Sequence, residues 1–205
     1  MVAVNQTGAR PYRGVQPADR RAERRGRLLD AGLSILGSAP KPEALTVRGL
    51  CRQANVSARY FYESFSDRDE FVGAVYDWVI AGLAATIRAA VAAAPEGEQA
   101  RAAMVTVVSA INDDRRVGRL VFGIELADAV VVRKRDEGTL MMAMLLGQHI
   151  GEAFHVREDD MVSAASHFAV GGVRQALSAW LAGQVRLTPD EIVDQLAWSI
   201  DRLRP

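Results

Sequence analysis

Residues 45–71 read LTVRGLCRQANVSARYFYESFSDRDEF, and they decide the fold. Thr46 stands where an N-cap belongs, its hydroxyl placed to accept an amide hydrogen of the next turn. Val47, Leu50, Cys51 and Ala54 follow at helical spacing, which predicts a short helix with one buried face and makes Cys51 a small core residue rather than a nucleophile. Asn55 ends that helix, because asparagine tolerates the left-handed conformation that a C′ position demands. Val56 then plugs the corner and Ser57 caps a new helix at once. Two short helices joined by so tight a turn are the pattern of a helix-turn-helix.

On the helix after the turn, Phe61 and Phe65 lie four apart and face inward. Ala58, Arg59, Tyr60 and Tyr62 occupy the first turns, where a recognition helix meets base edges and backbone. Arg59 has the donors to pair with guanine O6 and N7, and the tyrosine hydroxyls reach bases or phosphates. The competing role for the two tyrosines is half-buried packing. Thr46, Arg48 and Ser57 complete this set of candidate DNA contacts on the two short helices. Ser66 is expected to cap a fourth helix, with Asp69 at the third position and Asp67 and Glu70 favoured by the helix dipole. Arg68 among them is read as a phosphate contact, or else as a local surface ion pair.

Composition supports a polyanion partner despite zero net charge over 205 residues. Residues 1–60 hold 11 basic and 4 acidic side chains, a balance of +7, and the remainder is correspondingly −7. An apolar fraction of 49% is ample for a core, and a lone cysteine excludes an internal disulfide framework. The first residues lack the pattern of a secretory leader, so a cytoplasmic protein is expected. The longest apolar stretch, Trp78 to Ala94, is bounded by Asp77 and interrupted by Arg88, short of the roughly 20 residues that a membrane span requires.

In order and spacing, residues 19–75 resemble the tetracycline-repressor (TetR) family of bacterial transcription regulators. Val56, Ser57, Tyr62 and Phe65 stand where that family has the same residue types, and Asp69 to Phe71 match its acidic-then-apolar helix start. Asn55 replaces a common glycine and Arg68 a common lysine. Arg59, Tyr60, Glu63 and Ser64 depart from the family's usual reading face, so no relative's operator carries over. The resemblance implies an all-α chain: an N-terminal three-helix helix-turn-helix domain, joined by a long helix to a C-terminal helical domain for ligand binding and dimerisation. It further implies a homodimer, most simply a repressor, that grips a pseudo-palindromic DNA operator and is released by a small-molecule effector.

The rest of the chain is read on that plan. Residues 1–18 form a flexible basic arm, 19–70 the DNA-binding domain and 71–205 the helical body. The first helix runs from Asp19 with Leu28, Leu29, Gly32, Ile35 and Leu36 inward, Arg20, Arg21, Arg24, Arg25 and Arg27 outward, and Gly37 as its stop. A long helix from Phe71 breaks at Pro95. A helix over 98–111, an NDDRRVG turn, a helix through RLVFGIELA and a longer one through VVRKRDEGTLMMAMLLGQHIGEAF follow. The last two helices form the expected dimer surface, through Ala165, Phe168, Gly172, Ala176, Trp180, Ile192, Leu196 and Ile200; packing within one chain is the alternative. Thr188, Pro189 and Glu191 open the last helix as a capping box.

Trp78, Met104, Val108, Phe122, Met141, Met144 and Phe168 make a candidate apolar ligand box, since unbranched thioethers adapt to a ligand, although such a cluster also serves as core. His149, His155 and His167 lack the spacing of a helical metal pair, and no phosphate loop, nucleophile elbow or cysteine pair occurs. Neither catalysis nor a cofactor or metal is expected. The alternative class is a helical small-molecule carrier or enzyme with a vestigial helix-turn-helix.

Overall fold

The computed structural model describes residues 17–38, 45–154 and 159–203. Within them the chain forms α1 (Pro17–Leu36), α2 (Val47–Ala54), α3 (Ala58–Tyr62), α4 (Arg68–Ala93), α5 (Gln99–Asp113), α6 (Arg115–Phe122), α7 (Ala129–Phe154), α8 (Asp160–Leu181) and α9 (Pro189–Asp201). Every described element is helical, as the periodicity implies. The arm over 1–16 and His155 lie outside the described residues, and Pro17 and Ala18, assigned to the arm, open α1 instead.

Two glycines set how closely α1 packs. A Cβ on Gly32 would lie 2.6 Å from the Phe71 ring and 2.7 Å from Val75, so α1 meets α4 at a distance only glycine allows. At the end of α1, a Cβ on Gly37 would lie 2.7 Å from the Arg116 backbone. Gly37 is therefore the point where α1 abuts α6, not only a stop. Arg119 donates to the Gly37 carbonyl at 3.1 Å, and Arg116 donates to Ser34 Oγ and pairs with Asp30 at 3.3 Å.

Several boundaries differ from expectation for local reasons. Asp67, not Ser66, caps α4: its carboxylate accepts from the Glu70 amide at 2.8 Å, while Glu70 reaches back to the Ser66 amide at 2.7 Å and hydroxyl at 2.6 Å. Those bonds hold the Glu70 carboxyl below its usual range. The NDDRRVG turn shrinks to Asp114 alone, whose side chain accepts from the Arg116 amide and starts α6. The helix expected through RLVFGIELA ends at Phe122, because Gly123 turns extended where a Cβ would lie 2.6 Å from the Arg119 carbonyl oxygen. Asp128 then starts α7 by accepting from the Val130 and Val131 amides at 3.0 and 3.3 Å.

The buried side chains fall into two clusters. The first takes in α1 to α3, the N-terminal half of α4, and then Leu120 and Val121 of α6, Leu126 of the segment after it, and Val130 and Val131 at the start of α7. The second joins Met104, Val107, Val108 and Ile111 of α5 to Leu177 of α8 and Ile192, Val193 and Leu196 of α9. Phe122 packs against both. The first core thus crosses residue 70, the expected domain boundary, and seats α1 to α3 directly on the body.

Arg135 locks that seat from inside. Only 7% exposed, it donates Nε–H to the Leu120 carbonyl at 2.9 Å and its Nη groups to Leu126 at 3.3 Å and Arg119 at 2.9 Å. Its charge so answers the negative C-terminal end of α6, and burial lowers its affinity for the proton. Beside it Tyr76 is buried to 4% exposure, which pushes its hydroxyl pKa up to about 12.

Helix α4 begins ten residues before Trp78, the start of the apolar run, and by length and composition alone it matches a membrane span. It packs against α1, α5, α6 and α7. Its buried residues run from Phe71 to Val79, and none from Ala81 to Ala93 is buried.

Candidate nucleic-acid interface

The turn between α2 and α3 is built as the sequence implies. Thr46 caps α2 by accepting from the Gly49 amide at 3.2 Å. At the other end Asn55 adopts φ 51° and ψ 50°, and it is the one non-glycine residue at positive φ among those described. The Asn55 amide donates to Arg52 at 3.3 Å and the Val56 amide to Cys51 at 3.0 Å, the paired bonds of a left-handed helix stop. Val56 is buried as the plug, and Cys51 is buried, its thiol pushed above the ordinary value by desolvation. Ser57 occupies the N-cap position of α3, yet its side chain makes no cap bond; its carbonyl accepts from Tyr60 and Phe61 instead.

Helix α3 ends at Tyr62, so Phe65, expected on the same helix as Phe61, lies just beyond it, and the aromatics of this stretch divide by burial. Phe61 and Phe65 are 0% and 2% exposed and pack on Phe71 with ring centroids 5.5 and 5.0 Å away. Tyr60 and Tyr62 are 36% and 61% exposed, beside exposed Ser57, Ala58 and Arg59. Half-buried packing describes Tyr60 in part, since the Arg24 guanidinium lies 4.0 Å over its ring. Arg59 Nε sits 3.0 Å from Glu63 Oε1 one turn on, an exposed pair that water screens. Arg48 is exposed on α2.

The basic face of α1 stands behind this surface. Arg25 stacks over Phe65 at 5.0 Å and Arg27 reaches the Asn55 carbonyl at 3.5 Å, while Arg20 and Arg21 are exposed. Arginines from α1 and side chains from α2 and α3 are thereby gathered on adjoining elements.

Arg68 is placed differently from the other candidates. Its Nη1 lies 2.8 Å from Asp69 and its Nη2 is bonded to the Asp128 carboxylate at the start of α7. The Asp128 bond is the main reason that its guanidinium holds its proton more tightly than usual. This partner is 60 residues away in sequence, so no local pattern announces it.

The expected ligand box is not brought together. Met104 and Val108 are core residues of the second cluster, 7% and 2% exposed, and Phe122 bridges the clusters. Trp78, Met141, Met144 and Phe168 stand 43%, 41%, 59% and 70% exposed on α4, α7 and α8. Helical spacing marks an apolar face without saying which neighbour covers it, and that is why the two sets merged.

The expected dimer surface divides likewise. Ile192 and Leu196 are 2% and 5% exposed inside the second cluster, where a partner cannot cover them again. Ala176, Trp180 and Ile200 pack partly against that cluster, with Trp180 Nε1 donating to the Leu187 carbonyl at 2.8 Å. Ala165, Phe168 and Gly172 remain on an outer row of α8 that begins at Met161, 78% exposed. On α9 the exposed apolar residue is Trp198, under the Arg202 guanidinium at 4.3 Å.

These features define an all-α protein with a helix-turn-helix seated on a helical body. Comparison with solved structures then gives its fold: that of the TetR-family transcriptional regulators. The fatty acid degradation regulator FadR from Bacillus halodurans is 13% identical, with TM-score 0.69 over 92% of this chain and 97% of its own. FadR from Bacillus subtilis, solved with stearoyl-CoA, is 12% identical, with TM-score 0.66 over 85% and 96%. A TetR-family regulator from Streptomyces coelicolor is 16% identical, with TM-score 0.66 over 89% and 80%. No family model and no curated protein matches the chain.

Proposed function

We propose that the protein is a homodimeric, ligand-responsive transcription regulator of the cytoplasm, a repressor rather than an enzyme, with residues 19–70 reading DNA and 71–205 binding the effector and the second copy. The observation that carries this is the exposure of Arg59, Tyr60 and Tyr62 on a helix whose remaining aromatic, Phe61, is buried, with a row of α1 arginines behind it. That arrangement offers base-edge donors and phosphate contacts from one surface. Two such helices related by a two-fold axis read a pseudo-palindromic operator in successive major grooves.

The effector reading rests on the apolar row that α7 leaves uncovered beyond its contact with α4. Val130 and Lys134 lie against Gly73, and Gly138 lies against Tyr76. The same row of α7 continues to Met141 and Leu145, which are 41% and 45% exposed, while Ile80 and Ile87 of α4 turn to the first and second clusters instead. The uncovered apolar row of α7 suits an acyl chain, and the likeness to a FadR solved with stearoyl-CoA supports that ligand class. Met141 stays in the candidate set, joined by Leu145.

Selection from random duplexes, then salt titration of the enriched site, tests the DNA reading. Wild type should show a steep linear fall of log affinity with log salt, and Tyr60→Ala a clear loss. Arg59→Ala should cost about 1 to 3 kcal/mol at one base position. Stearoyl-CoA should weaken the complex about fivefold or more. Failure to enrich any duplex would leave the carrier or enzyme class.

A further inference from the structure

Arg68 and Asp128 meet where the DNA-reading helices join the body. Arg68 is the first residue of α4, immediately after the helix-turn-helix; Asp128 starts α7 and its side chain is 11% exposed. One guanidinium therefore spans two carboxylates, Asp69 on its own helix and Asp128 on the body. Asp128 is doubly committed, because the same side chain accepts the Val130 and Val131 amides.

A phosphate approaching Arg68 would meet Asp67, Asp69, Glu70 and Asp128 around it, a poor setting for a polyanion. Across the junction, α1 is already tied to α6 through Arg119 on Gly37 and Arg116 on Ser34 and Asp30. That link ties one edge of the head formed by α1 to α3 to the body, and the Arg68–Asp128 pair adds a second tie at the start of α4.

We propose that the Arg68–Asp128 pair is the joint that sets the angle of that head, and that Asp128 is a positioning residue for DNA reading which acts through Arg68 without touching DNA. The proposal rests on the DNA-binding reading above. In a dimer the head angle determines the separation of the two recognition helices, so loosening the joint weakens a full operator while leaving the number of phosphate contacts unchanged.

The test uses the full chain as wild type, Arg68→Gln, Asp128→Asn and the double variant. Asparagine is itself a good helix cap, so Asp128→Asn removes the charge and leaves the start of α7 served. Each protein is unfolded with urea, and its affinity for the selected operator is measured against salt, well below the melting temperature. The expected result is coupling between the two sites in the unfolding cycle, operator affinity about tenfold lower for each single variant and no lower for the double, and an unchanged salt slope. A slope reduced by about one in Arg68→Gln, with affinity kept or raised in Asp128→Asn, would overturn the proposal and make Arg68 a phosphate contact. Additive unfolding effects would overturn it too. If wild type enriches no duplex, the DNA reading and the positioning role fall together, while coupling in the unfolding cycle still establishes the joint itself.

Discussion

Asn55 carries the sharpest local decision in the chain, since its backbone sits at φ 51° where most side chains are strained. Asn55→Ala should lower unfolding free energy by about 1 kcal/mol, and Asn55→Gly should be neutral or nearly so, both read from urea midpoints. Thr46, Asn55 and Val56 were legible in the sequence because a cap or a stop is written within a few residues. Arg68 and Arg135 were not. Each looks like an ordinary charge in a charged run, and its role comes from groups on other elements: the Asp128 carboxylate for one, the carbonyls at the end of α6 for the other. The one local hint for Arg135 is its position four residues after fully buried Val131, on the inward row of α7.

At the level of helices, the number and order of elements followed from periodicity, while their ends depended on competition between adjacent caps. Ser66 and Asp67 are both good cap residues, and the choice falls to Asp67 because Glu70 then bonds Ser66 from the third position. The capping box of α9 makes a pH prediction. Thr188 holds the Glu191 carboxyl below its usual range, first through its amide and then its hydroxyl. A depressed carboxyl stabilises the fold above its unfolded pKa and loses that contribution as pH falls through the lower folded value. The melting temperature of Glu191→Gln should therefore trail wild type at pH 7, and the gap should narrow on acidification toward pH 3. Gly37 gives a second test, because any Cβ there meets the Arg116 backbone. Gly37→Ala should cost about 1 to 3 kcal/mol on urea unfolding, as overpacking against a rigid partner does.

For the whole molecule, the sequence correctly placed apolar residues on α8 and α9 but could not say which would face the chain's own core. Ile192 and Leu196 went inward to α5, and Phe168, Gly172 and Trp198 stayed out. Phe168→Glu should accordingly leave the fold intact, its side chain being 70% exposed, yet shift sedimentation from dimer to monomer and abolish tight binding to a two-half-site operator. Helix α4 runs through both ends of the design. It spans 26 residues, about 39 Å at 1.5 Å per residue, and is pinned near Gly73, where a Cβ would lie 3.3 Å from the Lys134 side chain. Five residues, about 7.5 Å, separate that pin from Arg68, and 20 residues, about 30 Å, separate it from Ala93. Treated as a rigid rod held there, α4 has arms of about one to four, so a shift of about 2 Å at Ala93 corresponds to about 0.5 Å at Arg68, within the give of the Arg68–Asp128 pair.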